Sequence, residues 1–363
     1  MKILFFVESG LGNSSLLVDQ LIALYKKHKS IYAILSNKDQ EEGLTNKIKE
    51  LSIPYTILPG IYGHHSLKKE AHILKNIIEK EQIDIIHVQT NWELALTSYT
   101  KYFIRTKRPT KIIYTIHAFR HNHIFKSYIA QILIGLSLFL FTDKIICMCN
   151  FLQKKFRLLS YKIILLPLGI NDSFFSSTHY HLDTDNLKLI FPAQFRKGKR
   201  QDLIIKAFAQ YKKITGDTKS TLILPGTGEL LDSMKQLVKE LNCEQQIIFP
   251  GFCPKKEILK LYKTCNTAII SSNSETFGQC IVEPYVLGLN IITTNVGIAP
   301  DIIKNQINGC FFRTQEELTS ILLYFHNNPN KIKQFGNYNY ERRDAFTWDT
   351  ITNKYLKYLS QLL

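Results

Sequence analysis

The sequence lacks the usual spacings of metal-binding or disulfide-forming cysteines, although its 363 residues include seven cysteines. None of them forms a Cys-x-x-Cys pair, and several lie in apolar runs, where a cysteine behaves as a small hydrophobic residue. These spacings argue against a zinc pattern and a disulfide framework. His121 and His123 closely follow His117, but no cysteine or carboxylate joins them, so we expect no metal site.

The sequence also lacks an apolar run long enough to span a bilayer. The longest run, from Ile129 to Phe141, has about 13 residues, whereas roughly 18–20 are needed. The start of the chain, MKILFFVESG, is too short for the apolar region of a signal peptide and indicates a β-strand. We therefore expect a soluble, cytoplasmic protein in which residues 129–141 form a buried helix. Peripheral contact with the inner face of the cell membrane is the alternative for this stretch.

Acidic residues are fewer than basic ones, 30 against 46, and the formal net charge is +16. Residues 1–170 hold 23 basic and 12 acidic residues, a balance of +11, whereas residues 171–363 hold 23 and 18, a balance of +5. A basic half favours an anionic partner such as a phosphate-bearing substrate, a membrane surface or nucleic acid. A lysine-rich composition with solvated faces explains the same numbers. Nothing resembles a nucleic-acid module with interleaved aromatic residues, so we expect no nucleic-acid partner.

Short apolar runs alternate with helical patterns along the whole chain, which predicts an α/β protein with parallel sheets. The length favours two domains, and we predict them at residues 1–175 and 187–340, joined by a polar linker and followed by an amphipathic tail over 345–363. Strands are predicted at residues 2–8, 30–35, 55–58, 83–88, 112–116, 144–148, 187–192, 220–224, 246–249 and 267–270, and helices at 16–27, 66–81, 127–141, 201–215, 230–241, 255–264 and 315–327.

Two features at predicted strand ends in the N-terminal half point to a ligand. Gly10-Leu11-Gly12 follows the first strand, but Ser15 occupies the third position of a dinucleotide fingerprint and no acidic residue closes the second strand. We therefore expect a turn that approaches a ligand closely, without a nicotinamide or flavin. His117 follows the strand at 112–116, and ligands of open α/β sheets bind beyond such strand ends. A hydrogen-bonded structural histidine is the alternative reading.

The most informative stretch is SSNSETFGQCIVEPYVLGLNIITTNVG, residues 271–297. Its pattern predicts a strand, a glycine turn, a helix and a second strand. Gly278 and Gln279 then lie at a helix N-terminus, where free N–H groups and the helix dipole bind anions. Glu275 in the loop and Glu283 in the helix would flank a bound phosphate. Because Pro284 disfavours a helical conformation at Glu283, we expect the helix to start near 283 or to begin with a strained turn.

A basic cluster follows the strand at 187–192 and consists of Arg196, Lys197, Lys199 and Arg200. By the same strand-end argument these side chains point toward the ligand. A nucleoside diphosphate leaving group needs compensating charge as its bond to a sugar breaks. Since no Asp-x-Asp pair stands at a strand end, we expect cationic side chains and the helix N-terminus to provide this charge.

These motifs resemble those of the retaining glycosyltransferases of family 4, which have the GT-B fold. The resemblance covers nearly the whole chain and is densest from Pro192 to Gly309. It rests on the segments Lys199 with Asp202-Leu203-Ile204-Ile205-Lys206-Ala207-Phe208, Pro225-Gly226-Thr227-Gly228-Glu229, Phe249-Pro250-Gly251-Phe252, Ser274-Glu275-Thr276-Phe277-Gly278, Glu283-Pro284, Gly288, Gly297 and Asn308-Gly309. The chain departs from the family where Ala193-Gln194 replaces Gly-Arg and where Thr276 replaces a glycine.

The resemblance implies two Rossmann-like α/β domains with an interdomain cleft, an acceptor-binding N-terminal domain, and a C-terminal helix that crosses back to that domain. It implies catalytic roles for Glu275 and Lys199 in the second domain and for His117 near the sugar. The implied donor-binding residues are Gly12, Arg196, Lys199, Gly226, Phe277, Gly278, Gln279 and Glu283, with Glu283 on the ribose hydroxyls.

The implied function is transfer of a hexose from a nucleotide-diphosphate sugar to a glycan or lipid-linked acceptor, in lipopolysaccharide, O-antigen or capsule biosynthesis. A UDP-sugar is favoured and a GDP-sugar is the second choice, with no cofactor and no metal. Two alternatives remain open: an inverting GT-B enzyme or nucleotide-sugar epimerase, and a non-catalytic nucleotide- or nucleic-acid-binding protein.

Overall fold

The computed structural model describes residues 1–7, 14–36, 42–58, 66–117, 124–176 and 184–363, and the side chains of 14–16, 36, 42–45 and 124–131 are left out of the description. Gly12, His121 and His123 lie outside these residues, so the predictions made for them stay predictions. The chain divides into two compact units. The first consists of Met1–Asn171 with Trp348–Leu363, and the second of Asp172–Thr347.

The described part of the first unit contains a parallel sheet of seven strands in the order β3-β2-β1-β4-β5-β6-β7. Its strands are Ile3–Val7 (β1), Ile31–Ser36 (β2), Tyr55–Leu58 (β3), Ile85–Val88 (β4), Lys111–Thr115 (β5), Lys144–Cys147 (β6) and Ile163–Leu165 (β7). Apolar residues dominate the central strands, whose side chains are almost fully buried because helices cover a parallel sheet on both faces. The strand order reverses between β1 and β4, which places a ligand-binding edge at their carboxyl ends.

Helices connect the strands of this sheet. They are Ser14–Lys27 (α1), Glu42–Glu50 (α2), Leu67–Lys80 (α3), Asn91–Tyr99 (α4), Ile124–Phe141 (α5) and Asn150–Lys155 (α6). A capping box starts α4: the Glu93 N–H donates to Thr90 Oγ1, and the Thr90 N–H donates to the Glu93 carboxylate. A single π-helical turn, Thr100–Arg105, continues α4. None of the helices among the described residues is long and apolar enough to cross a membrane.

The prediction that residues 129–141 form a buried helix is wrong for the described side chains of α5. Leu138 is buried, but Leu133 and Leu136 are more than half exposed. The error follows from composition, because an apolar run identifies the helix without showing which face the sheet covers.

The second unit contains a parallel sheet of six strands in the order β10-β9-β8-β11-β12-β13. Its strands are Lys188–Ile190 (β8), Thr221–Ile223 (β9), Ile247–Ile248 (β10), Thr267–Ile270 (β11), Asn290–Thr293 (β12) and Gly309–Phe311 (β13). Its helices are Gln201–Thr215 (α7), Leu231–Glu240 (α8), Lys255–Thr264 (α9), Gln279–Leu287 (α10), Ala299–Ile302 (α11), Gln315–Asn327 (α12) and Pro329–Tyr340 (α13). Both sheets are parallel and doubly wound, which confirms the predicted fold class.

The boundaries of the units differ slightly from the predicted ones. Phe174 is fully buried beside the ring of Tyr262, with ring centroids 6.4 Å apart, so the second unit begins before the predicted linker. At its other end Phe346 packs edge-on against Tyr285, and the unit continues to Thr347. Both extensions bury an aromatic side chain that lies outside the regular strands and helices.

The last helix, Trp348–Ser360 (α14), packs on the first unit. Its indole lies so close to Gly169 that a Cβ there would come within 2.4 Å of the ring. The Tyr355 hydroxyl is 2.8 Å from Nδ1 of His87, and Nε2 of the same ring is 2.7 Å from Thr115 Oγ1. Burial lowers the pKa of His87 to about 3, so the ring stays neutral and joins α14 to β4 and β5.

Candidate active site

The strand order of the second sheet reverses between β8 and β11, which pair in parallel through Thr267 and Leu189. The loops after these two strands therefore meet at one edge of the sheet. The loop after β8 contains a short 3-10 turn, Lys197–Lys199, and the loop after β11 contains Glu275. The predicted basic cluster and the predicted glutamate thus belong to one site.

Lys199 and Glu275 form an ion pair at this edge. The ammonium donates to Glu275 Oε1, and the same oxygen accepts a hydrogen bond from Ser272 Oγ at 2.6 Å. The side chains of the pair are only 11% and 13% exposed. A carboxylate held by a cation and a hydroxyl through one oxygen keeps its orientation, and among the described residues its second oxygen is left for a ligand.

The loop that carries Lys199 is fixed to the loop that carries Glu275. Ser271 Oγ donates to the carbonyl oxygens of Lys199 and Arg200 at 2.7 and 2.9 Å. The Asn273 N–H donates to the Gly198 carbonyl at 2.9 Å. Arg200 itself has a left-handed backbone, with φ at 51°, at the point where the chain turns into α7. These contacts position Lys199, and a strained residue beside a binding loop is typical of functional sites.

Gly278 turns the chain into α10 with φ at 94°, a conformation that favours glycine. Its carbonyl oxygen accepts hydrogen bonds from the N–H groups of Ile281 and Val282 at 2.9 and 3.2 Å. The N–H groups of Gln279 and Cys280, at the start of the helix, have no acceptor within it. The helix dipole adds positive potential at the same place, so this turn can bind an anion such as a phosphate.

The predicted helix N-terminus at Gly278 and Gln279 is confirmed, since α10 begins at Gln279. Of the two alternatives raised by Pro284, a helix start near 283 is wrong, because the proline lies in the interior of the helix. The proline lacks the N–H that would otherwise donate to the Cys280 carbonyl. Its own carbonyl is used, because it accepts from the Leu289 N–H at 3.0 Å beyond the end of the helix. Residues 281–287 are all buried, and the packing of this helix outweighs the local cost of the proline.

Glu283 projects from α10 and is 8% exposed. Among the residues that the structure describes, its nearest cationic partner is the Lys255 ammonium at 3.9 Å, and no donor lies within hydrogen-bonding distance of the carboxylate. Burial raises the pKa of Glu283 from 4.5 to about 7, and Lys255 opposes that rise. A nearly buried carboxylate with empty acceptor positions suits a ligand that donates hydroxyl groups.

Close backbone contacts explain two of the glycines near the site. A Cβ at Gly226 would lie 2.0 Å from the Ala193 carbonyl oxygen, because the loop after β9 runs directly against the loop after β8. A Cβ at Gly297 would lie 2.4 Å from the Phe277 carbonyl oxygen and 3.0 Å from Glu275 Cβ. Gly297 thus packs against the backbone of the loop that carries Glu275, and the Ile298 N–H donates to the Phe277 carbonyl at 2.8 Å.

In the first unit, His117 lies just beyond the carboxyl end of β5. Its Nε2 is 2.5 Å from Gln89 Oε1, and the Gln89 amide nitrogen donates to the Phe6 carbonyl at 2.9 Å. Because that carbonyl only accepts, it orients the amide, and His117 Nε2 must donate to Oε1. Desolvation lowers the pKa of His117 to about 4, so the ring is neutral and its Nδ1 is an acceptor.

The structure thus brings Glu275, Lys199, Phe277, Gly278 and Gln279 together at one edge of the second sheet. The side chain of Arg196 is exposed and makes no ion pair with the described residues. The interactions that sequence reasoning missed come from residues that position others: Ser271, Ser272, Lys255 and Gln89. The Ser-Ser pair directly after the strand at 267–270 and the Gln-Thr-Asn after β4 are the signals that could have revealed them.

Comparison with known proteins finds similarity to one family over the second unit and to several relatives over parts of the chain. Residues 174–342 match the sequence model of the family described as "Glycosyl transferases group 1", and this range lies within the second unit. A curated relative from Bacillus anthracis, N-acetyl-alpha-D-glucosaminyl L-malate synthase, is 30% identical over 130 residues, which are 36% of this chain and 33% of that protein. The O-antigen biosynthesis glycosyltransferase WclY of Escherichia coli is 25% identical over 79% of this chain and 81% of its own.

The alignments with the first three curated relatives cover 31%, 33% and 60% of those proteins. Several of the relatives are named as glycosyltransferases. Among solved structures, HepE from Anabaena, crystallised in complex with UDP, superposes with a TM-score of 0.80 at 19% identity over 99% of this chain and 100% of that chain. The same protein has also been solved with UDP-glucose. This likeness establishes the GT-B type of fold for the two Rossmann-like units.

Proposed function

We propose that the chain is a retaining glycosyltransferase, which moves a hexose from a nucleotide-diphosphate sugar to a glycan or lipid-linked acceptor. The observation that carries the proposal is the geometry at one edge of the second sheet. There the N-terminus of α10 lies next to the paired Lys199 and Glu275, and Glu283 is buried without a hydrogen-bond donor from the described residues. The positive potential suits the diphosphate of a nucleotide sugar, and the fixed carboxylate of Glu275 suits its sugar hydroxyls. The acceptor positions of Glu283 suit the ribose hydroxyls.

The diphosphate is proposed to bind at the N–H groups of Gln279 and Cys280, with charge compensation from Lys199 and from the exposed Arg196. Glu283 would accept hydrogen bonds from the ribose hydroxyls, which would replace the missing donors around its carboxylate. A UDP-sugar is favoured, because HepE has been solved with UDP and with UDP-glucose. A GDP-sugar remains the second choice.

In the proposed reaction, the bond from the anomeric carbon to the phosphate oxygen breaks, and the acceptor oxygen bonds to the same face of that carbon. The hydroxyl proton of the acceptor goes to the departing diphosphate. Glu275 holds sugar hydroxyls and stabilises the positive charge that develops on the ring, without forming a covalent bond. Lys199 both orients Glu275 and stabilises the leaving group. No metal ion and no cofactor are invoked.

The acceptor is proposed to be a growing surface polysaccharide of the lipopolysaccharide, O-antigen or capsule type. The support is the similarity to the O-antigen glycosyltransferase WclY, which extends over 79% of this chain. His117, a neutral histidine beyond β5 whose Nδ1 is an acceptor, is proposed to contact the sugar.

The test begins with a thermal-shift screen of the purified chain against UDP-, GDP- and ADP-sugars. A donor present at 100 times its dissociation constant stabilises by about 2.7 kcal/mol, which raises Tm by several degrees. Proton NMR of the product then reports its anomeric configuration. An inverted product would refute retention, and an epimerised nucleotide sugar formed without acceptor would indicate an epimerase.

Glu275→Gln should leave folding intact and reduce transfer about 100-fold or more, because a preorganised charge at the reacting centre is lost. Glu240→Gln, at the exposed end of α8, is the matched control and should transfer at the wild-type rate. Wild-type turnover by the Glu275 variant would disprove the role of that residue.

A further inference from the structure

The outer face of α5 is apolar and open to solvent over residues 132–140, the part whose side chains the structure describes. Five of its side chains are 48–59% exposed, namely Ile132, Leu133, Leu136, Phe139 and Leu140. At 3.6 residues per turn they fall within an arc of about 120°, and the buried Leu138 lies on the opposite side of the helix. The helix therefore packs on its sheet through one face and presents a continuous apolar face outward.

Neighbouring segments extend this surface. The ring of Tyr102, at the π-helical turn, lies 5.8 Å from that of Phe141 at the end of α5, and the next residue, Phe103, is 71% exposed. On another side, the Lys162 ammonium lies 5.3 Å from the ring of Phe139 and 5.9 Å from the ring of Tyr161. We call the surface formed by residues 102–103, 132–140 and 158–162 the apolar–basic face.

The charge of this region is almost entirely positive. Residues 99–165 contain twelve lysines and arginines and one acidic residue, Asp143. Asp143 is already paired, with Lys111 at 3.2 Å and Lys101 at 4.0 Å. Lys154, Lys155 and Arg157 are exposed directly before Leu158, whose side chain is 90% exposed. Apolar groups bordered by exposed cations are typical of a surface that inserts into the headgroup region of an anionic bilayer.

We propose that the apolar–basic face docks the protein on the surface of an anionic lipid bilayer. The side chains of α5 enter the boundary between headgroups and acyl chains, and the surrounding lysines and arginines contact the anionic headgroups. A second copy of the chain is a poorer occupant, because it would bring two strongly basic surfaces together and leave their charge uncompensated.

Docking does not depend on the proposed transfer reaction, since it uses residues of the first unit alone and needs no donor. The test is flotation of the full-length chain with vesicles of phosphatidylcholine and 30% phosphatidylglycerol, and with pure phosphatidylcholine vesicles, in the absence of nucleotide sugar. We expect binding to the anionic vesicles that falls steeply as salt rises. Equal binding to both lipids, or no binding to either, would overturn the proposal.

A double variant tests whether vesicle binding depends on this face or on nonspecific hydrophobic adhesion. Ile132→Ser with Leu136→Ser removes two adjacent apolar side chains from α5 and should lower vesicle affinity about tenfold or more. Ile73→Ser with Ile214→Ser is the matched control, because these side chains are 43% and 55% exposed on α3 and α7, outside the face. Circular dichroism and Tm of both variants should match the wild type. Unchanged binding by the α5 variant, or an equal loss in the control, would refute the location.

Charge reversal and mass measurement complete the test. Lys154→Glu with Arg157→Glu should reduce binding to anionic vesicles on the order of tenfold, whereas Lys235→Glu with Lys239→Glu on α8 should have little effect. Light scattering of the wild type in solution should give a monomer. A dimer that the α5 variant dissociates would show that this face binds a second copy, and the bilayer proposal would fall.

Discussion

Replacing Glu283 by glutamine should stabilise the protein and weaken its ligand binding at the same time. The carboxylate is 8% exposed, lacks a hydrogen-bond donor among the described residues, and has only Lys255 at 3.9 Å for compensation. The folded structure therefore disfavours its ionised form. Glutamine keeps the shape and the acceptor oxygen but removes the buried charge.

The size of the effect follows from proton linkage. The pKa of Glu283 rises from 4.5 to about 7 in the folded protein. A raised pKa means that the folded state binds the proton more tightly, so stability is lost as pH rises from 4.5 through 7. With 1.36 kcal/mol for each pKa unit, the ionised residue costs about 3 kcal/mol at about pH 8 and about 1 kcal/mol at about pH 5. Glutamine avoids this cost at both pH values.

The assay is thermal and urea unfolding of the wild type and the Glu283→Gln variant at both pH values. The variant should exceed the wild type by about 3 kcal/mol in the free energy of unfolding at about pH 8, and the gap should shrink at about pH 5. Binding of UDP to the variant should weaken roughly tenfold or more, because an ionised acceptor for ribose hydroxyls is lost. A variant less stable than the wild type at about pH 8, or one with unchanged UDP affinity, would refute the reasoning.

Three further perturbations test other parts of the second unit. Lys199→Met should lower the free energy of unfolding by about 2 kcal/mol in urea, because Glu275 is left nearly buried without its cation. The double variant Lys199→Met with Glu275→Gln should recover most of that loss. Gly226→Ala should lower stability by 2 kcal/mol or more (~2–3), since its Cβ would lie 2.0 Å from a backbone oxygen; a Tm equal to the wild type would show that the two loops can separate freely. Desolvation raises the pKa of Asp217, but hydrogen bonds from Ser220, Tyr211 and Lys219 outweigh it and lower the pKa to about 2. Asp217→Asn should therefore lower the free energy of unfolding by about 2 kcal/mol at neutral pH. The difference should shrink below about pH 4, where the wild type loses the stabilisation from its ionised carboxylate. A loss for the asparagine variant that does not change with pH would contradict the ionised state of that carboxylate.

Sequence periodicity predicted several elements with the bounds that the structure has, among them α7, α9, β11 and α12. These segments combine an unbroken pattern with a clear stop, such as Gly216 after α7, which ends that helix with φ at 67°. The pattern did not predict α4 or α13. The first is short but begins with a Thr-x-x-Glu capping box that the sequence displays. The second, PNKIKQFGNYNY, has few apolar residues and a central glycine.

At the candidate site, the sequence identified the residue types and the strand ends. The structure showed which residues form ion pairs and hydrogen bonds with them. The motif around Glu275 and Gly278 indicated a strand, a turn and a helix N-terminus, because glycine and the two apolar runs leave few other arrangements. That Lys199 pairs with Glu275 could not be predicted from two positions 76 residues apart. Their contact depends on β8 and β11 being neighbours, which is a property of the whole sheet.

By itself, the sequence determined the α/β class, the order of most strands and helices, and the residues that bear charge near the second sheet. These properties follow from local patterns of apolar, glycine and cationic residues, which act within a few positions along the chain. Tertiary structure alone decided that α10 continues through Pro284, since the buried packing of 281–287 outweighs a lost hydrogen bond. It also decided which face of α5 is exposed and that Glu283 is buried without a hydrogen-bond donor from the described part of the chain. Burial and desolvation depend on neighbours that are distant in sequence, so no local pattern could specify them.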